Sequence, residues 1–313
     1  MSDPRSAIQF GGPEADPEAS EAAGEDHEPS LGEPSLRQTS DGSLVILPVP
    51  FERTTSYGQG TAGGPEALLR ASHFIELYDE ELDRDLSGLE ITTAPTCDPA
   101  APDLEQALGE IEREAERHLA AGKFLVTLGG EHSLSLAPVK AAQAVCGELG
   151  VVQFDAHADL RDRYEGSPFS HACVMRRILE CGVPSLAVGV RAISGPERRL
   201  VERRRLPVLW GHELEQAEGR FESLLAGLPE RVYLTFDVDF FDPSLLPATG
   251  TPEPGGGFWY DTLRLVRRVF ERKTVVAMDV VELAPIPGQP ASDFVAAKLV
   301  MKALAYRSFL PAP

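Results

Sequence analysis

Seven short apolar runs recur along this chain: SLVILPV (43–49), FLVTL (124–128), GVVQF (150–154), SLAVGV (185–190), LPVLW (206–210), RVYLTF (231–236) and TVVAMDV (274–280). They are rich in β-branched residues and lack clean polar alternation, as strands buried on both faces do. Between them lie longer stretches of helical period, among them residues 103–122, 133–150, 172–182, 259–273 and 293–308, several closing on Gly or basic side chains. Strand and helix alternate throughout. That pattern predicts an α/β fold, a mainly parallel sheet with helices on both faces. No internal repeat or linker divides residues 43–313, which are therefore expected to form a single domain.

Residues 1–42 differ in kind. They hold ten acidic side chains against Arg5 and Arg37, are rich in Pro, Gly, Ser and Ala, and show no apolar period. We read them as a disordered acidic tail outside the fold. The net charge of −20 argues against nucleic acid and anionic membranes as partners and suits a cationic small substrate. No run approaches the roughly 18 apolar residues of a membrane span, and no basic start leads into an apolar stretch, so the cytoplasm is the expected compartment. Cys97, Cys146, Cys173 and Cys181 show no CxxC spacing and are expected to be reduced thiols.

In parallel sheets, sites form beyond the carboxyl ends of the strands. Here FLVTL is followed by GGEHS with His132, and GVVQF by DAHAD with Asp155, His157 and Asp159. RVYLTF runs into DVDFFDP with Asp237 and Asp239, and the last strand into DVVELAP with Asp279 and Glu282. Residues at i, i+2 and i+4 of an extended chain point the same way, so the 155/157/159 trio and the 237/239 pair should each converge. With His132 they amount to four carboxylates and two imidazoles, more than one divalent ion can use while keeping a position open for water. Two ions sharing carboxylates fit better. Either string alone could instead cap a helix or satisfy turn amides. Their joint occurrence favours metal, because so many acids beside buried strands would repel one another without cations. An oxygen-rich set with a minority of imidazole and no thiolate suits manganese, ahead of other divalent metals.

GGEHS, FDAHADLRDRYEGSPFSHACVMRR, YLTFDVDFFDP and DVVELAP, in this order, resemble the signature blocks of the ureohydrolases, the arginase, agmatinase and formiminoglutamase family. PVPFERTTSYGQGTAGGPEALLR and ATGTPEPGGG are similar to the agmatinase branch in particular, and the likeness spans about residues 46–308. It implies a three-layer α/β/α fold with an eight-stranded, mostly parallel sheet. It also implies two Mn²⁺ ions, one on His132, Asp155, Asp159 and Asp237, the other on Asp155, His157, Asp237 and Asp239. By the same resemblance Asp239 orients the attacking water and relays its proton, Glu282 grips the guanidinium nitrogens, and His171 shuttles a proton to the leaving amine. A homo-oligomer, trimeric or hexameric, is implied as well.

The loop LRDRYEGSPFS lacks the asparagine-rich pattern with which arginases grip an amino acid, which favours agmatine and its hydrolysis to urea and putrescine; guanidinobutyrate, arginine and guanidine are the alternatives. Ala248 stands where agmatinases often have glycine. A reading from another class rests on Gly58, Gly60 and Gly63, which match GxGxxG with Asp79 about 20 positions on, as in a dinucleotide-binding oxidoreductase. There the first glycine must directly follow the strand, whereas Pro50 and FERTTSY intervene here. A scaffold retaining an inactive site is a third reading, against which the completeness of the ligand set counts. His27, His73, His118 and His212 fall outside every block and receive no role.

Overall fold

The computed structural model describes residues 8–11 and 36–313. Its strands are β1 (Arg37–Gln38), β2 (Leu44–Val49), β3 (Tyr78–Asp79), β4 (Arg84–Asp85), β5 (Glu90–Thr93), β6 (Phe124–Gly129), β7 (Gly150–Phe154), β8 (Ser185–Val190), β9 (Val208–Trp210), β10 (Arg231–Asp237) and β11 (Thr274–Val281). The helices are α1 (Gly64–Ser72), α2 (Leu104–Ala120), α3 (Leu136–Cys146), α4 (Val174–Glu180), α5 (Gly195–Arg204), α6 (Glu218–Ala226), α7 (Trp259–Arg272) and α8 (Ala291–Phe309). Nine strands form one sheet in the order β1-β5-β2-β6-β11-β10-β7-β8-β9, while β3 and β4 make a separate hairpin. Every pairing in the large sheet is parallel.

The apolar runs lack alternation because both faces of each strand are covered. In β2, Leu44 and Ile46 join one buried cluster and Val45, Leu47 and Val49 the other. Likewise Val232, Leu234 and Phe236 of β10 face one side and Tyr233 the opposite one. Helices α1, α6, α7 and α8 cover the first face, and α2, α3, α4 and α5 the second. The result is the expected three-layer α/β/α arrangement.

The sheet has nine strands rather than eight, and the seven apolar runs account for neither β1 nor β5. In β5 only Ile91 is buried and the sequence reads EITT, too polar for a buried-strand signal. The ninth strand, β1, comes from the stretch assigned to the tail. Within that stretch Phe10 and Leu36 are buried in the core, and Leu36 N–H donates to the Gly11 carbonyl. Residues 1–7 and 12–35 lie outside the described residues. Helices α1, α5 and α6 are additional to the five periodic stretches. The sequence of α5, GPERRLVERR, buries little apart from Leu200 and Val201, so its amphipathic signal is weak.

What matters for the site is the order of the central strands. β6, β11, β10 and β7 are consecutive neighbours, although β6 and β11 are separated in sequence by most of the domain. Being parallel, they deliver their carboxyl ends to one edge. Phe236 pairs with Phe154, so Asp237 and Asp155, one residue beyond each, stand level on adjacent strands.

Candidate metal centre

Close backbone packing brings the strand ends together. Gly130 N–H donates to Val49 O (3.0 Å), Glu131 N–H to Phe51 O (2.8 Å) and Glu282 N–H to Gly130 O (2.8 Å). A Cβ at position 130 would lie 2.0 Å from the Phe51 carbonyl oxygen, so only glycine fits. Asp159 and Glu282 both hold left-handed backbone, with φ of +49° and +66°. Such conformations each cost on the order of 1–3 kcal/mol and persist where surrounding structure imposes them.

Nδ1 of His132 lies 3.0 Å from Asp159 Oδ2, 3.1 Å from Asp155 Oδ2 and 3.4 Å from Asp237 Oδ2. It is nevertheless a buried atom without a hydrogen-bond partner among the described residues. A lone pair facing three carboxylate oxygens at this spacing suits a shared cation, since ligands at right angles about 2.1 Å from an ion stand about 3 Å apart. Of these residues His132, Asp155 and Asp237 form one trio, and Asp155, His157 and Asp239 form a second, with His157 Nδ1 2.8 Å from Asp239 Oδ2. In each trio the candidate ligand atoms lie within 4.8 Å of one another, and Asp155 belongs to both; Asp237 joins only the first. The donors present therefore fit a pair of divalent ions.

The electrostatics agree. Burial, reinforced by Asp239 and Asp155, pushes the carboxyl of Asp237 well above its ordinary value, and burial with Asp155 raises Asp159. Burial opposes charge on His132 and His157, yet the facing carboxylates win and raise both imidazoles. Without cations, then, the surroundings favour protons on Asp237, on Asp159 and on both imidazoles, while the two imidazoles hold Asp155 below its ordinary value against the effect of burial. Protons stand in for missing positive charge.

The neighbours fix each ligand. Thr235 Oγ1 donates to Asp279 Oδ1 (2.6 Å), and Tyr233 OH donates to Asp279 Oδ2 (2.8 Å). Its only proton so committed, Thr235 must accept from His132 Nε2–H at 2.9 Å, which leaves the Nδ1 lone pair for the carboxylate cluster. The Gln153 amide donates to Asp155 Oδ2 (2.7 Å), Ala156 N–H to Asp239 Oδ1 (2.9 Å) and Asp239 N–H to Asp237 Oδ1 (2.9 Å). Arg191 donates to the carbonyls of Asp239 (2.6 Å) and Glu253 (2.8 Å), binding the loop beyond β10 to the end of β8.

The eight residues given a metal or catalytic role from sequence line one cavity or its wall. His132, His157, Asp159, His171, Asp237, Asp239 and Glu282 border a space of ≈ 330 Å³, with Asp155 fully buried behind them. Glu282 Oε1 accepts from His132 N–H (2.6 Å), and burial raises its carboxyl to about 8. His171 opens the turn before α4; its N–H donates to Thr54 Oγ1 (3.0 Å), and its Nδ1 lies 3.2 Å from the same oxygen. Asp279 contributes as a support beneath His132 rather than as a lining residue. Thr54, Glu131, Gln153, Arg191 and Thr235 escaped the sequence reading. For Gln153 and Thr235 a signal existed: each is the polar member of an otherwise apolar buried run, and such a group must find a partner.

The glycine stretch is otherwise occupied. Glu52 carboxylate accepts from Gly60 N–H (2.8 Å) and Ala62 N–H (3.0 Å), the donors a phosphate would need, and Asp79 is buried against Lys302 Nζ at 3.0 Å. All four cysteines are free. Among the described residues no helix is long and apolar enough to cross a membrane.

Residues 42–306 match the sequence profile of the Arginase family. The chain is 41% identical over 282 residues to an N(1)-aminopropylagmatine ureohydrolase of Synechocystis sp., covering 87% of this chain and 91% of the relative. It is 39% identical over 264 residues to an agmatinase of Pyrococcus horikoshii, covering 83% and 90%. The crystal structure of the agmatine ureohydrolase of Thermoplasma volcanium superposes with a TM-score of 0.75 at 28% identity, over 85% of this chain and 90% of that one.

Proposed function

The chain belongs to the arginase family, and on that footing we propose that it hydrolyses the guanidino group of agmatine to urea and putrescine with two manganese ions. The observation that carries the reading is the orphaned Nδ1 of His132 facing Asp155, Asp159 and Asp237, beside a second trio that shares Asp155. His132, Asp155, Asp159 and Asp237 would hold one ion, and Asp155, His157, Asp237 and Asp239 the other. Two such ions supply a nucleophilic water at neutral pH and offset the charge of the carboxylates.

The chain's own groups do the rest. Glu282 has one oxygen committed to His132 N–H, which leaves the other to accept from a guanidinium N–H. A cation placed there restores the ionised state that burial disfavours. Asp239, fixed through Oδ1 by Ala156 N–H, orients the attacking water with Oδ2 and takes its proton. The water oxygen bonds to the guanidinium carbon, His171 passes the proton taken up by Asp239 to the alkyl nitrogen, and the bond from carbon to that nitrogen breaks so that it leaves as an amine.

A second substrate, N(1)-aminopropylagmatine, is favoured by the 41% identical relative of that name. It carries the same guanidinium on a longer cationic tail and would yield urea and spermidine. Guanidinobutyrate, which bears a carboxylate, fits the acidic surroundings less well. Assembly into trimers or hexamers and a cytoplasmic setting are parts of the same proposal. Urea release from agmatine, N(1)-aminopropylagmatine, guanidinobutyrate, arginine and guanidine, at equal manganese, tests it. Chelation should abolish release and manganese should restore it. No urea from any of the five, or turnover that survives thorough chelation, sinks the reading.

A further inference from the structure

Thr54 Oγ1 stands between a buried carboxylate and the ring of His171. On one side lies Glu131, fully buried, whose Oε2 accepts from the backbone N–H groups of Arg53 (2.6 Å) and Thr54 (2.5 Å) and whose Oε1 lies 2.7 Å from Thr54 Oγ1. On the other side the same hydroxyl accepts from His171 N–H at 3.0 Å and faces His171 Nδ1 at 3.2 Å.

A hydroxyl has one proton and two lone pairs, and a carboxylate can only accept. The Thr54 proton therefore goes to Glu131. Both lone pairs then point toward His171, and Nδ1 has to donate. Ser170 Oγ, at 3.4 Å from Nδ1, could offer a proton instead, but that would set an Nδ1 lone pair against a Thr54 lone pair. Neutral His171 is thus held as the Nδ1–H tautomer. Its Nε2, which has no hydrogen-bond partner among the described residues, is the nitrogen that exchanges protons with the cavity.

We propose that Glu131 and Thr54 are positioning residues that fix the tautomer and ring orientation of His171, so that Nε2, the lone-pair nitrogen of the neutral ring, takes up the proton that Asp239 has received from the water and then delivers it to the departing amine. The inference rests on the proton-shuttle role given to His171 above. It joins a residue of the loop after β2 to the GGEHS segment and to the turn before α4, three segments that no sequence spacing connects. Its logic matches that of Asp279, Thr235 and His132, where a carboxylate also takes a threonine's proton and thereby selects which imidazole nitrogen faces the site.

The test uses the manganese-loaded full chain with agmatine and, in parallel, N(1)-aminopropylagmatine, adopting whichever is turned over. Thr54→Val removes the hydroxyl at constant shape. It should lower kcat about 10–100-fold, part of the ~10²–10⁴-fold that a positioned acid or base contributes, with KM within about threefold and metal content unchanged. Thr54→Ser keeps the relay and should hold kcat within about threefold. Glu131→Gln can present its amide N–H₂ to Thr54 and reverse the proton's direction; it should lower kcat similarly, and adding Thr54→Val to it should cost little more. The losses in Thr54→Val and His171→Asn should both shrink on a guanidino substrate whose leaving amine is less basic, because less proton transfer is then required.

The outcomes separate cleanly. If His171→Asn turns over like the wild type, the role given to His171 fails and the relay with it. If His171→Asn loses at least about 10²-fold while Thr54→Val keeps wild-type kcat, the relay is wrong and the role of His171 stands. If Thr54→Ser is as impaired as Thr54→Val, or metal is lost from both, Thr54 merely supports the fold and the inference is overturned.

Discussion

Replacing Thr235 by Val should weaken metal binding at the His132 side of the cluster, by an amount set by proton placement. In the wild type, Thr235 Oγ1 gives its proton to Asp279 at 2.6 Å and receives one from His132 Nε2 at 2.9 Å. Valine keeps the shape but can neither give nor accept. With metal on Nδ1, the ring has to carry its proton on Nε2, which then faces a methyl group in a site where His132 is 1% exposed. Without metal the ring escapes the penalty by releasing the Nε2 proton while keeping one on Nδ1, where three carboxylates wait. The cost of an unsatisfied buried donor, about 1–3 kcal/mol, falls on the bound state alone. Manganese affinity should therefore drop about 10–100-fold, the range usual for losing a ligand's supporting partner. Competition with a calibrated chelator gives the dissociation constant, elemental analysis after dialysis gives occupancy, and Tm of the metal-free proteins controls for folding. Thr235→Ser should recover affinity to within about threefold. Binding by Thr235→Val within twofold of wild type, or a serine variant no better than the valine one, would refute the reasoning.

Other perturbations separate binding from chemistry and from stability. Asp237→Ala should lose metal together with turnover, whereas Glu282→Gln should keep its metal and lower kcat/KM about 10–100-fold, the worth of a hydrogen bond to a charged group; elemental analysis beside a urea assay reads both. Lys302 is 1% exposed and lies 3.0 Å from Asp79 and 3.2 Å from Glu81, tying the β3–β4 hairpin to α8. Lys302→Met leaves the buried Asp79 without its cation, while Glu81 keeps Arg267 at 2.8 Å, and should destabilise by about 3–5 kcal/mol, or roughly 6–20 °C in Tm, with kcat unchanged below the transition. Deleting residues 1–40 removes the buried Phe10 and the edge strand β1, so Tm should fall roughly 3–12 °C while urea release stays within twofold. A large loss of turnover would tie that segment to the site.

By itself the sequence determined the class of fold and the chemical character of the strand ends, because both are local. A run such as GVVQF declares a strand buried on both faces, and the Asp155, His157 and Asp159 that follow it alternate whatever the rest of the chain does. It could not supply the order of the strands. That β11 inserts between β6 and β10, making the three ligand-bearing ends and the Glu282 end consecutive, follows from which faces the helices can cover together, a property of the whole core. Polar strands such as β5 were invisible for a related reason: pairing with β1 and β2, rather than hydrophobic pattern, makes EITT a strand. The supports Thr54 and Glu131 were decided by tertiary structure alone, and Thr235, a polar residue in an apolar run, showed that it needs a partner without showing which. A threonine is an unremarkable residue until its single proton has a carboxylate on one side and an imidazole on the other, and only folding brings those two groups within 3 Å or so of it.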